Sequence, residues 1–267
     1  MTTHRPHAVP DHAVPDHIVP GHADVALGRE SFRGANADVV LDHERGLALR
    51  YPRHPGGRAR LPVLAGMMRA ARAHGLPVPE VVEVGGDRLV TTIARGTPLT
   101  PGVPVRAEAL AGLLDRLATV PAGPGPDPRE EWRTLADQVR HRVVPLLAPP
   151  AAARVTAEVA RALEAASAAP RGFVHGDLGG ANVLIEDGQV SAVLDWESAG
   201  PGDPAVDFAA LTVSVSEATA GLLAARFPDF AERARAYAAT FALQEAVHGL
   251  VHGDDEAVTA GLAGYLS

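Results

Sequence analysis

Apolar positions along the chain follow two regimes. Over residues 25–93 they come in short runs separated by turns. Residues 39–41 and 47–49 flank Asp42-His43-Glu44-Arg45-Gly46 and read as a hairpin. Residues 62–72 read as a helix with Pro62 near its start and Gly75 as its stop. Residues 80–84 and 88–93 flank Gly85-Gly86-Asp87, a second hairpin. The segment Ala94-Arg95-Gly96-Thr97-Pro98 breaks the pattern and reads as a linker. Beyond it the spacing is mainly helical, over 105–120, 129–147 and 151–168, with Leu110, Leu113, Leu114 and Leu117 on one face. Short strands are expected at 173–174, 183–185 and 190–194, and helices return from about Ala205 to the end. The stripe Phe230, Ala234, Tyr237 and Phe241 reads as core. The fold class is therefore α+β and bilobal. A small β-rich N-lobe (25–95) and a larger, mainly helical C-lobe (96–267) would hold a ligand in the cleft between them.

Residues 1–24 stand apart. Ala8–His12, Ala13–His17 and a variant at Ile18–His22 repeat an apolar-apolar-Pro-Asp/Gly-His unit. Proline every five residues forbids a regular helix, and five residues are too few for a solenoid repeat. Repeated histidine can bind metal; the reading adopted is a flexible tail.

Composition narrows the classes. The 267 residues are 46% hydrophobic, enough for a core at this length, and contain no cysteine. Disulfides, thiolate zinc sites and a cysteine nucleophile are excluded. No apolar run approaches the roughly 18 residues that span a bilayer, and the start of the chain lacks an apolar signal core. A cytoplasmic protein with no membrane partner is expected. The net charge of −8 argues against nucleic acid, whose affinity rests on phosphate neutralisation, and is compatible with a cationic ligand. No obligate protein partner is indicated. All 24 basic residues are arginine, so any task usually given to lysine falls to arginine here.

The candidate chemistry lies in three linked segments: His175-Gly-Asp-Leu-Gly-Gly-Ala-Asn182, Leu194-Asp-Trp-Glu197 and Gly202-Asp-Pro-Ala-Val-Asp207. A strand at 173–174 leads into a glycine-bearing loop that presents Asp177. Asn182 opens the next strand, and the strand at 190–194 delivers Asp195 beside it. Two acidic oxygens and an amide oxygen meet on one hairpin. That grouping suits phosphoryl transfer, in which the protein positions groups and supplies charge. One carboxylate must orient the attacking hydroxyl and take its proton. Further oxygens must hold Mg²⁺, which prefers hard oxygen ligands.

On these three motifs the chain resembles the aminoglycoside phosphotransferase family, which has the protein-kinase-like fold. The resemblance implies that Asp177 is the catalytic base and that Asn182 and Asp195 are Mg²⁺ ligands. It implies His175 as a hydrogen bonder that fixes the loop and Asp207 as a cap or loop anchor. Asp203 and Glu197 are left open between structural and substrate roles. In the first lobe it implies a site for ATP, or GTP. Arg50 would be the phosphate-binding cation, with a solvated strand-end arginine as the alternative. Gly34, within 32–38, would lie in the phosphate-covering loop, and the backbones of Thr92 and Ala94 would bond adenine. One departure matters. Kinases pair the phosphate-binding cation with a helix glutamate, yet residues 51–75 contain no Asp or Glu. Arg50 has no partner available in that helix.

Within the family the chain is similar to the viomycin and capreomycin phosphotransferases. The similarity rests on residues 175–184, Thr240-Phe-Ala-Leu-Gln244, Gly253-Asp-Asp-Glu256, Gly261-Leu-Ala-Gly-Tyr265 and Arg60-Leu-Pro62. It implies O-phosphorylation of a tuberactinomycin, a basic cyclic peptide antibiotic, and hence resistance. Glu217, Glu245, Asp254, Asp255 and Glu256 are candidates to line a cation site, against a solvated helix face for each. The alternatives are a phosphotransferase for an aminoglycoside or a macrolide, and a non-catalytic kinase-like drug-binding protein.

Overall fold

The computed structural model describes residues 29–33, 37–123, 125 and 127–266. The repeat tail and Gly34 lie outside the described residues.

The β-rich part is a five-stranded antiparallel sheet in the order β1-β2-β3-β5-β4. Its strands are β1 (Arg29–Arg33), β2 (Ala37–Asp42), β3 (Leu47–Pro52), β4 (Val81–Val84) and β5 (Leu89–Thr92). The β2–β3 turn is tied by the Arg45 amide donating to Asp42 Oδ1 at 3.1 Å, and Gly46 takes φ 67° to close it. Between β3 and β4 runs α1 (Pro55–Ala73). The expected helix at 62–72 is thus corrected. It begins seven residues earlier, because Pro55, not Pro62, takes the favoured first position. Pro62 sits inside the helix, one turn beyond the exposed Arg58 whose carbonyl it cannot serve. Gly75, with φ 77°, ends the helix while the Leu76 amide donates back to the Ala71 carbonyl at 3.2 Å. Leu61, Leu64, Ala65 and Met68 form the buried face of α1.

The linker contributes a two-residue strand, β6 (Thr97–Pro98). The helices α2 (Ala107–Leu117), α3 (Pro128–Gln138) and α4 (Pro149–Ala168) follow. The helix expected over 129–147 also needs correction. After Gln138 the chain passes into a wide π-turn, Val139–Val143, then a 3₁₀ turn, Val144–Leu146. Pro145 lacks the amide that would continue an α-helix, and the wide turn seats Val139 and Val143 in a satellite core with Val155, Val159, Leu243 and Val247.

Two small sheets then frame the cleft. β7 (Gly172–Val174) pairs with β10 (Gly200–Gly202), and β6 pairs with β8 (Val183–Glu186), which pairs with β9 (Gln189–Val193). Helices α5 (Ala205–Val213), α6 (Glu217–Arg226), α7 (Ala231–Ala238), α8 (Phe241–His252) and α9 (Asp255–Leu266) complete the chain. The main core runs without a break from Leu61 and Leu64 of α1, through Leu76 and Leu89, to Leu110, Val193, Trp196 and Phe208. A backbone bond from the Val193 amide to the Pro77 carbonyl, 2.7 Å, ties the two lobes beside the cleft. Among the described residues no helix is long and apolar enough to cross a membrane.

Candidate active site

The β8–β9 hairpin organises the site. Its two-residue turn is Asp187-Gly188, both at positive φ (52° and 71°), as a tight hairpin turn demands. At the open end the Leu194 amide donates to the Asn182 carbonyl at 2.8 Å. That bond sets Asn182 and Asp195 side by side. Asp195 adopts φ 54° and ψ 71°, a left-handed conformation that costs a non-glycine residue energy and concentrates at functional positions.

Asp177 projects from the loop between β7 and β8. The Asn182 side-chain amide donates to Asp177 Oδ2 and to the Asp177 carbonyl, each at 2.9 Å. With its nitrogen used in this way, Asn182 keeps its side-chain oxygen to offer a metal. Asp177 itself is exposed and open to a substrate hydroxyl. The loop needs glycine at two points. Gly176 has φ 82°, and a Cβ there would lie 2.6 Å from the Ser198 carbonyl oxygen. A Cβ on Gly180 would lie 2.1 Å from the Leu99 carbonyl oxygen.

Two buried polar groups, His175 and Asp207, hold this loop. His175 is fully buried; its Nε2 donates to the Leu194 carbonyl at 2.8 Å, and its Nδ1 accepts from the Asp177 amide at 3.3 Å. Its ring meets Trp196 edge-on at 4.8 Å. His175 thus joins the loop that carries Asp177 to the strand end that carries Asp195. Asp207, in the first turn of α5, accepts from the amides of His175 (2.7 Å) and Gly176 (2.9 Å). Burial pushes the Asp207 carboxyl up from its ordinary value, opposed by His175 and the two amides. Asp203 points the other way. It accepts from Arg233 Nε at 2.7 Å, Arg233 Nη2 at 3.2 Å, the Tyr237 hydroxyl at 2.8 Å and the Ala205 amide at 3.0 Å. Burial, then the Asp203 charge, pushes the Tyr237 hydroxyl far up, so it stays a donor. The Gly-Asp-Pro-x-x-Asp motif is therefore a double anchor: Asp207 fixes the loop and Asp203 fixes α7.

From the opposite lobe, Arg50 on β3 reaches across. Its Nη2 lies 2.7 Å from Glu197 Oε1 and 3.6 Å from Asp195 Oδ1. Arg50 is only 21% exposed, so it is not a solvated strand-end residue. The structure brings Arg50, Asp195 and Glu197 together, and Asn182 and Asp177 on the same hairpin end. Asn182 and Asp195 offer the hard oxygens Mg²⁺ prefers, so this donor set fits that ion. The Thr92 backbone is partly engaged within the sheet. Its amide donates to the Glu80 carbonyl at 2.9 Å, because Glu80 and Thr92 are neighbours at the edge where β4 and β5 pair. The expected adenine contact would therefore fall to the Thr92 carbonyl and not its amide; Ala94 follows two residues later, past the end of β5. Asp254 accepts from the Glu256 and Ala257 amides and caps α9, whereas Glu217, Glu245, Asp255 and Glu256 are exposed on helices. A cavity of about 720 Å³ lined by Thr97, Val103, Arg106, Ile185 and Asp187 sits at the turn end of the β8–β9 hairpin, away from Asp195. The sequence could not assign Glu197 to Arg50, since the two are far apart along the chain and no local pattern links them.

Comparison with known proteins bears on this constellation. A sequence model of the phosphotransferase enzyme family matches residues 30–241. The chain is 34% identical over 272 residues to the viomycin phosphotransferase of Streptomyces vinaceus, an alignment covering 91% of this chain and 94% of that protein. Among solved structures, an aminoglycoside 2″-phosphotransferase in complex with GDP and kanamycin superposes with a TM-score of 0.74 at 17% identity, covering 88% and 90% of the two chains. The macrolide 2′-phosphotransferase of Brachybacterium faecium gives 0.65 at 22% identity, covering 90% and 94%. At these identities the solved structures show a shared fold, and the bilobal α+β, kinase-like architecture expected from the motifs is the one found.

Proposed function

The chain belongs to the phosphotransferase enzyme family, and from that premise we propose that it transfers the γ-phosphoryl group of ATP to a hydroxyl of a cationic antibiotic, a tuberactinomycin cyclic peptide of the viomycin and capreomycin type. The observation that carries the chemistry is the Asp177–Asn182–Asp195 cluster on one hairpin end. The observation that favours the drug class is the identity to viomycin phosphotransferase along nearly the whole of both chains.

In this reading Asp177 accepts the proton of the acceptor hydroxyl and orients its oxygen, while the Asn182 amide keeps the carboxylate turned toward the cleft. The Asn182 side-chain oxygen and the Asp195 carboxylate would hold Mg²⁺. Arg50, with its planar fork of donors, would grip phosphate oxygens. When bound, the Mg²⁺–nucleotide supplies the phosphoryl group and neutralises the charge that develops on it. The Thr92 carbonyl and Ala94 backbone would bond adenine, and the acidic chain would draw a polycationic drug. Phosphate added to such a drug would oppose its binding to an anionic target by repulsion and bulk. A cytoplasmic place of action follows from the use of ATP.

The test is a panel of capreomycin, viomycin, kanamycin and erythromycin, each incubated with Mg²⁺ and either ATP or GTP. Products are read by mass spectrometry for the gain of one phosphoryl group. A higher kcat/KM for capreomycin or viomycin is expected. A preference for kanamycin or erythromycin would overturn the drug class, and no transfer to any of them would favour a non-catalytic drug-binding protein. Higher turnover with GTP would reassign the donor.

A further inference from the structure

Arg50 raises a question that the motifs alone do not answer. A phosphate-binding cation on a strand needs a fixed counter-charge, or its long side chain samples many rotamers. In kinases that counter-charge is a glutamate on the helix after the strand. Here residues 52–79, which include all of α1, contain no Asp or Glu. The position is not left without a carboxylate. Glu197, in the 3₁₀ turn Trp196–Ser198, meets Arg50 Nη2 at 2.7 Å, a charge-assisted hydrogen-bond distance.

We infer that Glu197 takes over the role of the missing helix glutamate, positioning Arg50 for phosphate from the catalytic lobe instead of from α1; this rests on the phosphotransferase reading above. Several observations make the turn a rigid platform for that task. Trp196 is almost fully buried, and its Nε1 donates to the Val193 carbonyl at 2.9 Å. Its ring is braced by the His175 ring at 4.8 Å. The Glu197 carbonyl accepts from Arg60 Nη2 of α1 at 3.3 Å. The helix therefore holds the backbone of Glu197 by a guanidinium, while the Glu197 side chain holds Arg50. Arg50 Nε is buried without a hydrogen-bond partner, so its donors are not exhausted by Glu197. Glu197 is a positioning residue: it acts on the nucleotide through Arg50. Placing it two residues after Asp195 couples the phosphate cation and the metal carboxylate to one turn, so the two charges that must address the same phosphate group move together.

The test is a double-mutant cycle in the full-length protein with Arg50→Met, Glu197→Gln and the double variant, together with Glu197→Asp. The readouts are Mg·ATP affinity by calorimetry, kcat and KM for ATP and for the drug, and the Mg²⁺ concentration giving half-maximal rate. Glu197→Gln should lose about tenfold in ATP affinity, the scale of one charge-assisted bond. Its KM for the drug should stay near wild type. The double variant should bind ATP no worse than Arg50→Met alone, because only one interaction is being removed. Glu197→Asp should recover part of the loss. The ion pair is partly exposed, so melting temperatures should move by no more than about 4 °C, separating a positioning defect from unfolding. Glu197→Gln binding ATP as wild type does would overturn the inference. So would additive losses, or a defect repaired by excess Mg²⁺, which would make Glu197 a metal ligand instead. If the wild type itself binds no Mg·ATP, the phosphotransferase reading falls and the inference with it.

Discussion

Asp207→Ala would strip the amides of His175 and Gly176 of their acceptors at 2.7 and 2.9 Å. The carboxylate is 2% exposed, so water cannot readily replace it. A buried donor left unsatisfied costs about 1–3 kcal/mol, which puts the gross loss for two near 2–6 kcal/mol. Against this stands the desolvation of the carboxylate itself, the leading cause of its raised pKa, which the variant no longer bears. A net loss of about 2–4 kcal/mol is expected, or roughly 5–15 °C in Tm for a chain of this size. Thermal and urea denaturation followed by circular dichroism would measure it. Melting within about 2 °C of wild type would mean the two amides find other acceptors, and the anchoring argument would fail. The pH dependence supplies an independent check. Folding raises the Asp207 pKa above 3.8, so above that value the folded chain retains a proton that the unfolded chain has released. The associated stability is complete at low pH and is lost as pH rises through the folded pKa. Asp207→Asn lacks this titration, so its stability deficit against wild type should narrow as pH climbs through that window.

Four further outcomes follow from the same geometry. Asp177→Ala should lose turnover by orders of magnitude while calorimetric Mg·ATP affinity changes little, because the carboxylate addresses the acceptor; near-normal turnover would remove Asp177 from the chemistry. Asp195→Ala should lack activity at ordinary Mg²⁺, since few protein oxygens hold the ion, and a Mg²⁺ titration that matches wild type would refute the ligand assignment. Gly180→Ala should lower both Tm and kcat, because its Cβ would meet the Leu99 carbonyl oxygen at 2.1 Å and backbone has to move; an unchanged Tm would count against this packing. Arg233→Met should destabilise the chain by about 3–5 kcal/mol, the cost of leaving a buried carboxylate without its cation, and a loss under 1 kcal/mol by urea denaturation would show Asp203 to be adequately held by Tyr237 and the Ala205 amide.

What could be read from the sequence was local. Asp177, Asn182 and Asp195 are joined by a short loop and one tight hairpin, so spacing alone brings them near each other once Asp187-Gly188 is recognised as the turn. The hairpin, helix, hairpin order of the first lobe was equally legible from alternating runs and turn residues. The rest depends on tertiary context. Gly200-Pro201-Gly202 has no strand propensity, and it becomes β10 only by pairing with β7. Pro62 resembled a helix start, yet the preceding turn is helical because Leu61 is drawn into the core, 1% exposed. The Thr92 amide could not be known to be taken without knowing that Glu80 lies beside it. Nothing in the sequence assigns Asp203 and Glu197, because their partners, Arg233 and Arg50, carry no mark that pairs them.

The choice of arginine at position 50 and the placement of the carboxylate at position 197 are consistent with each other. A lysine ammonium is a compact point charge, well matched to a single glutamate approaching from a neighbouring helix. A guanidinium is a planar fork that can face more than one acceptor at once. Asp195 and Glu197 stand two residues apart on the same turn, and one Arg50 nitrogen lies 3.6 Å from the first and 2.7 Å from the second. Both contacts fall on Nη2, so Glu197 and Asp195 together engage only one edge of the fork. A helix carboxylate is then unnecessary, and α1 is released to present arginines: Arg60 holds the Glu197 carbonyl and Arg72 donates to the Val78 carbonyl at 2.8 Å. On the proposed reading the acid-free helix is compatible with a phosphate site at Arg50, because the counter-charge would come from the turn that carries Asp195 and Glu197.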